Sequence, residues 1–297
     1  MAMGAADVVP GISGGSIALM TGIYEKLLGS INAIDLEAFR MLTSGQIRQL
    51  WEKVNGTFLI SVLLGILTSL VSLANLIIYL IQVYPIPVWS FFCGLIIISA
   101  LLILRDVQRW TVVAILALPV GIGLAYLITG LTPVSTPNSL VILFSSGMIA
   151  ICAMILPGVS GSFLLLVMGK YEYILNALTE RDLLTLGIFA AGCVVGLLSF
   201  SRLIAWLLRN YHAITIALLS GFMLGSINKI WPWKKVLSYR FTSSGEQEPF
   251  ISENISPHHF LAATGEEPQF LAAMFAFFIG IVLVIGIERV AFYLKST

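Results

Sequence analysis

The chain has 297 residues, of which 58% are hydrophobic and 10% charged, with a mean hydropathy of +0.98. A soluble domain carries about a quarter charged residues, so most of this surface faces lipid. The net charge of +1 supplies no basic field for nucleic acid, and Cys93, Cys152 and Cys193 lie in apolar stretches as small buried hydrophobes, not as a disulfide frame or metal site.

Residues 1–31 read as a Gly/Pro/Ser helical hairpin, with the break at PGISGG from Pro10 to Gly15. They lack the basic region and small-residue cleavage site of a removable address. A polar, amphipathic connector follows at 35–53. No charge occurs from Val54 to Leu104 or from Trp110 to Gly169, and each run holds more than one span of about 20 residues. Spans are expected at 57–82, 87–104 and 111–130, then a second hairpin at 138–178, then spans at 184–208, 212–230 and 269–294. The Ser-, Glu- and Pro-rich stretch 231–268 reads as a solvent loop. His212, His258 and His259 form no helical metal pair, and Trp51, Trp89, Trp110, Trp231 and Trp233 fall near span ends as interface anchors.

Two stretches repeat. Pro10 to Leu28 aligns without gaps onto Pro157 to Leu175, pairing Pro, Gly, Ser, Tyr and Glu in register. Further on, Gly65, Ser72, Tyr84, Gly94 and Ser99 align at constant spacing onto Gly192, Ser199, Tyr211, Gly221 and Ser226. The fold class expected is therefore an all-α polytopic membrane protein of two repeats, 1–131 and 138–297, each with one hairpin and three spans. A hairpin changes the crossing count by an even number, so three further spans invert the second repeat, an architecture common in secondary transporters. Only about 15–18 Å of helix separates Ser160 from the charges of Lys170 and Glu172, against a hydrocarbon core of about 30 Å. The hairpins are thus expected to be re-entrant, with tips meeting near the midplane.

At each tip a helix begins just after the glycines, aiming free N–H groups at the membrane centre. Gly11, Ser13, Gly14, Gly15 and Ser16 in the first tip, and Gly158, Ser160, Gly161 and Ser162 in the second, form a candidate phosphate site. A single such motif reads as a helix break for tight packing; two in register point to substrate. Arg202 reads either as a phosphate counter-charge or as a snorkelling cation. Asp7, three residues before the first tip and matched by Met154 in the second repeat, is a candidate to carry a coupling proton or cation or to pair with an Arg, with capping and loop solvation as competing roles. Glu25 and Glu172 are coupling or gating candidates that also fit interface anchoring beside Tyr24 and Tyr171.

MGAADVVPGISGGSIALMTGIYEKLL, answered by LPGVSGSFLLLVMGKYEYIL, closely resembles the bacterial polyprenyl-phosphate transporter family over essentially the whole chain. The family's Gly-rich motifs map onto Gly4 to Gly15 and Pro157 to Ser162, and the chain starts almost at the first, so that hairpin's leading arm is expected to be short. The resemblance implies a multi-pass protein of the bacterial cytoplasmic (inner) membrane. It would carry undecaprenyl phosphate, the carrier lipid of cell-wall synthesis, from the outer to the cytoplasmic leaflet. An ion gradient would drive it, with no cofactor beyond a coupling proton or sodium ion. The chain also resembles membrane undecaprenyl-pyrophosphate phosphatases in its Pro-Gly-x-Ser tips, but those enzymes bring Glu and His to one tip and Arg to the other. Here the tips hold Gly14, Gly15, Gly161 and Ser162, with no catalytic set. An ion channel or antiporter uses the same broken helices. Lys26, Arg40, Arg48, Lys53, Arg105, Arg109, Arg209, Arg289 and Lys295 place one side in the cytoplasm. Lys170, Arg181, Lys229, Lys234, Lys235 and Arg240 oppose that bias on the other side, from which the second hairpin would enter.

Overall fold

The computed structural model describes residues 1–8, 13–132, 134, 136–241 and 247–296. Apolar sequence in lipid must satisfy its peptide groups within its own segment, which dictates helix, and helix dominates the chain. The first hairpin region comprises α1 (Ala2–Val8), α2 (Gly14–Met20) and α3 (Tyr24–Asn32), and the connector folds as α4 (Leu36–Thr43) and α5 (Ile47–Lys53). The long helices α6 (Gly56–Val83), α7 (Pro85–Leu104) and α8 (Val112–Thr129) follow. The second hairpin region comprises α9 (Leu140–Ile155), α10 (Gly161–Val167) and α11 (Tyr171–Glu180). Then come α12 (Leu183–Asn210), α13 (His212–Gly225), α14 (Ile227–Ile230), the strands β1 (Lys234–Phe241) and β2 (Gln247–Asn254), α15 (Pro257–Thr264) and α16 (Phe270–Ser296).

Six of these stretches are long and apolar enough to cross a membrane, and they coincide with the expected spans: Gly56–Leu73, Pro85–Leu104, Val112–Thr129, Leu183–Asn210, His212–Ile230 and Phe270–Arg289. Their side chains face outward where lipid would lie; Val71 is 83% and Leu271 85% exposed. Ends are set locally. Pro85 opens α7 where no N–H is needed, Thr111 caps α8 through Ala114 N, and Asp182 accepts from Leu184 N and Thr185 N at the start of α12.

Positions aligned by the repeat share backbone conformation. Tyr84, between α6 and α7, has φ −128° and ψ 55°, and its counterpart Tyr211, between α12 and α13, has φ −135° and ψ 45°. Gly22 and Gly169 both turn through the left-handed region, at φ +69° and +64°, where a Cβ is disfavoured.

Helix pairing follows the same correspondence: α8 packs along α13 and α16 along α7, while α1 packs along α6 and α9 along α12. Apolar burial gives no net attraction between helices in lipid, so close backbone contact through small residues replaces it. Gly121 of α8 and Gly221 of α13 face each other, and a Cβ on either would strike a carbonyl of the opposite helix, Leu218 or Leu118. Gly94 of α7 and Gly280 of α16 repeat the arrangement against the carbonyls of Phe277 and Phe91.

The stretch expected to be a solvent loop holds the β1–β2 antiparallel hairpin, with Lys234 opposite Asn254 and Val236 opposite Ser252. It is anchored to the helices. Trp233 and Phe260 are buried with Ile86 and Ala273, and the Trp233 and Trp231 indoles donate to the carbonyls of Pro268, at 2.8 Å, and Ile255, at 2.9 Å. Trp233, expected as an interface anchor, is instead buried within the protein, and the polar composition concealed Phe260. In the connector Leu36, Phe39, Leu42, Ile47 and Trp51 are exposed, while Asp35 both caps α4 and pairs with Lys53 Nζ at 2.8 Å. An apolar face over a pinned polar side suits the membrane interface.

The Gly121–Gly221 contact predicts that Gly121→Val destabilises the protein by about 1–3 kcal/mol, the usual cost of overpacking. Gly123→Val, where a Cβ would meet nothing within 4 Å, serves as the control. Melting of the detergent-solubilised variants, followed by size-exclusion fluorescence, should show a lowered midpoint for the first only.

Candidate functional site

The second tip is made by a local stop. Pro157 disfavours helix at Leu156, which is extended at ψ 128°. Gly158 then turns at φ +87°, and α10 begins at Gly161 behind its N-cap Ser160. Ending α9 this way leaves its last carbonyls without intrahelical donors. The first hairpin supplies them. Ser13 Oγ donates to Met154 O at 2.7 Å and Tyr24 Oη to Ile155 O at 3.0 Å, while Gly158 N donates to Ser16 Oγ at 2.8 Å. The two motifs, far apart in sequence, thus lie against one another. Gly158 also packs on the end of α13, where an added Cβ would come within 2.8 Å of Ser226 Oγ.

The two tips differ in what they leave open. In the first, Gly14 N donates to Asp7 Oδ1 at 2.7 Å and Gly15 N to Ser13 Oγ at 3.1 Å. Asp7 is therefore a cap, and a carboxylate already occupies the place an anion would take. Ser13, Gly14, Gly15 and Ser16 are all buried, and Gly11, with Pro10, lies outside the described residues. In the second tip, Ser160 Oγ and Ser162 Oγ lie 2.8 Å apart, half-buried and exposed respectively, and Ser160 makes no side-chain cap. Gly161 packs against α9, where an added Cβ would come within 2.5 Å of Ala150 O.

Other candidates stand away from this contact. Arg202 is exposed on α12, with Nη2 3.5 Å from Ile34 O beyond α3, so it is not joined to either tip. Glu25 is exposed, with Oε1 3.5 Å from His212 Nε2, and Glu172 is exposed. Lys170 is fully buried, its ammonium donating to Thr136 O and Pro137 O at 2.9 Å and to Asn138 Oδ1 at 2.5 Å. It fixes the segment before α9 and carries a structural load that its expected surface position did not suggest. Among the described residues no group of three or more His, Cys, Asp or Glu could hold a metal ion.

Two residues here escaped sequence reasoning. Tyr24 matches Tyr171 and reads as an interface anchor, yet it is 2% exposed and bridges the hairpins. Lys229, at the end of the expected span 212–230, reads only as a charge opposing the cytoplasmic bias, yet its ammonium lies 4.3 Å over the ring of Phe163 in the first turn of α10.

Six described helices long and apolar enough to cross a membrane define a multi-pass membrane protein, in which the two motif-bearing hairpin regions touch. Residues 3–248 match the model of the undecaprenyl phosphate translocase-like family. A polyprenyl-phosphate transporter of Vibrio cholerae is 46% identical over 98% of this chain and 94% of its own length. One of Staphylococcus aureus is 35% identical over 78% of this chain and 83% of its own length. The chain belongs to the undecaprenyl phosphate translocase-like family. No solved structure matches it.

Tyr24→Phe should cost about 1–3 kcal/mol, the penalty for stranding a buried acceptor, while Tyr171→Phe should change little. Thermal or denaturant unfolding in detergent, with Ser16→Ala added to complete a double-mutant cycle, checks whether the interhairpin bonds act together.

Proposed function

We propose that this chain carries undecaprenyl phosphate across the bacterial cytoplasmic membrane, returning it from the outer to the cytoplasmic leaflet for cell-wall synthesis. Its relatives are named as transporters of polyprenyl phosphate, and the observation that carries the mechanism is the contact between the two broken tips. A lipid phosphate needs a polar path for its head while its tail stays in lipid, and broken backbone lining a cavity supplies one.

The repeats are inverted and the hairpins re-entrant in this proposal. Beyond its tip the first hairpin reaches Phe58, whose ring lies 4.7 Å from Lys26 Nζ, and His212. The second reaches the 136–138 segment through Lys170. Three spans separate Phe58 from that segment, so the hairpins enter from opposite faces. The phosphate is held at the second tip by Gly158, Ser160, Gly161 and Ser162, with the buried first tip as its wall. Arg202, near the connector, serves the head group on the cytoplasmic side. Glu25 and Glu172 remain candidates for gating at the two faces.

Asp7 is the proposed coupling group. It is acidic, held on Gly14 N, and has no acidic counterpart at Met154. Asp7→Asn keeps an acceptor for Gly14 N but cannot exchange a proton or bind a cation as a carboxylate does. It should leave the protein folded and remove the dependence of transport on a proton or sodium gradient.

The deciding experiment follows outer-leaflet undecaprenyl phosphate in proteoliposomes, with and without each gradient, and assays inorganic phosphate in parallel. Gradient-sensitive loss of the lipid without phosphate release is expected, slowed about tenfold or more in Ser160→Ala/Ser162→Ala if both hydroxyls bind a charged group. Phosphate released from the pyrophosphate form would make the protein a phosphatase. No lipid movement by folded protein would assign the broken helices to an ion.

A further inference from the structure

We propose that Lys229 and Lys234 form a receiving site for the phosphate monoester of the lipid, on the side of the protein where the second hairpin enters. The inference rests on the transport reading above and adds the cationic component that the serine-lined tip lacks.

Lys229 belongs to α14, the short continuation of α13, and its ammonium lies 4.3 Å over the ring of Phe163. Phe163 directly follows Ser162, and the tip's Gly158 packs on Ser226 of the same α13–α14 junction. Lys229 is thereby fixed beside the second tip. Lys234 opens β1; its Nζ donates to the Lys229 carbonyl and lies 5.9 Å from the centre of the Trp89 ring. The two lysines approach from different elements, so their pairing is a product of the fold.

Both are half-buried, and among the described residues neither meets a carboxylate. Ion pairs elsewhere among the described residues include Arg48 with Glu52, Lys53 with Asp35 and Glu37, and His212 with Glu25. Burial and the nearby Lys229 charge push the Lys234 pKa down to about 8. A desolvated ammonium is costly without a counter-charge, and two side by side repel. An anion bound between them removes both penalties.

The arrangement is braced. Asn254, opposite Lys234 in the strand register, donates its Nδ2 to both Asn228 O and Asn228 Oδ1 at 2.8 Å, and Asn228 Nδ2 reaches Thr129 Oγ1 at 3.2 Å. The β-hairpin is thus tied to the ends of α14 and α8, holding Lys234 over Lys229. A phosphate monoester carries a charge of about −1.5 to −2 at neutral pH, which two ammonium groups match. The rings of Phe163 and Trp89 beside them offer apolar contact for the first isoprene units.

The test uses wild-type protein in phosphatidylcholine nanodiscs. Lysines are labelled with an amine-reactive reagent and located by peptide mass spectrometry, without and with farnesyl phosphate. Labelling of Lys229 and Lys234 should fall several-fold while that of Lys26 stays constant. Lys229→Gln/Lys234→Gln should weaken farnesyl phosphate binding about tenfold or more, the loss expected for a charge-assisted contact, and Lys229→Arg/Lys234→Arg should retain most of it. Equal protection by inorganic phosphate, or by phosphatidylglycerol alone, would overturn the assignment to a lipid monoester. Unchanged labelling in protein that still moves undecaprenyl phosphate would remove the lysine site and leave the transporter reading intact. A wild type that neither moves the lipid nor shows protection would remove both.

Discussion

A peptide group in hydrocarbon has no water to fall back on, and leaving one unpaired costs several kcal/mol. The stop at Pro157 creates that problem at the end of α9, and the first hairpin solves it. Ser13 and Tyr24 donate to the carbonyls of Met154 and Ile155, and Ser16 accepts the N–H of Gly158. Much of the interior follows from this contact. Gly15 has no room for a side chain, since a Cβ would lie 2.8 Å from Ile155 O and 2.9 Å from Met154 O. Tyr24 must be buried to reach its acceptor, and the helices around the tips are drawn close through glycine to enclose them.

The duplicated motifs have divided their labour at matching positions. Ser16 takes an N–H from the other hairpin, while its counterpart Phe163 lies under Lys229. Gly15 permits a close backbone approach, whereas Ser162 exposes a hydroxyl beside Ser160. Asp7 closes the start of α2, and Met154 in its place contributes a carbonyl to Ser13. One tip has become largely structural and the other has kept accessible polar groups. That difference is why the proposed phosphate site lies at the second tip even though the two sequences look equivalent.

Local signals carried most of the fold. Long uncharged runs marked the spans, and Gly and Pro clusters marked the breaks, because both act through backbone chemistry within a few residues. Tyr84 and Tyr211 announce their shared turn by recurring at the same point of each repeat. Partnership is another matter. Nothing near Ser13 names Met154, and Tyr24 and Tyr171 are indistinguishable until packing buries one of them. Arg202 stood out as an intramembrane charge, but its distance from the tips depends on how α12 meets α3. Lys229 escaped because it closes the expected span 212–230 with nothing local to pair it with Phe163, and Lys234 because the stretch after α14 is polar enough to pass for a loop. Its anchors, Trp233 and Phe260, work through contacts with Ile86 and Ala273, which no local pattern reports.

Charge is balanced differently at the two faces. Toward the connector, Lys53 is neutralised by Asp35 and Glu37, and His212 is near Glu25. Toward the β-hairpin, Lys229 and Lys234 meet no carboxylate among the described residues. In the proposed orientation an anionic head group would meet these two lysines locally, beside the second tip on the outer side, although the connector side carries more basic residues overall. Such a local site speeds capture but sets no direction, because a protein that only binds and releases a lipid leaves its equilibrium distribution unchanged. Net return to the cytoplasmic leaflet must therefore draw either on consumption of the lipid there or on an ion gradient. A gradient can act only through a group that exchanges its ion as the tips rearrange. Asp7 is the group proposed for that role: its carboxylate holds the first turn of α2, so a change in its charge would alter the bond at the start of the helix whose Ser16 reaches the other tip.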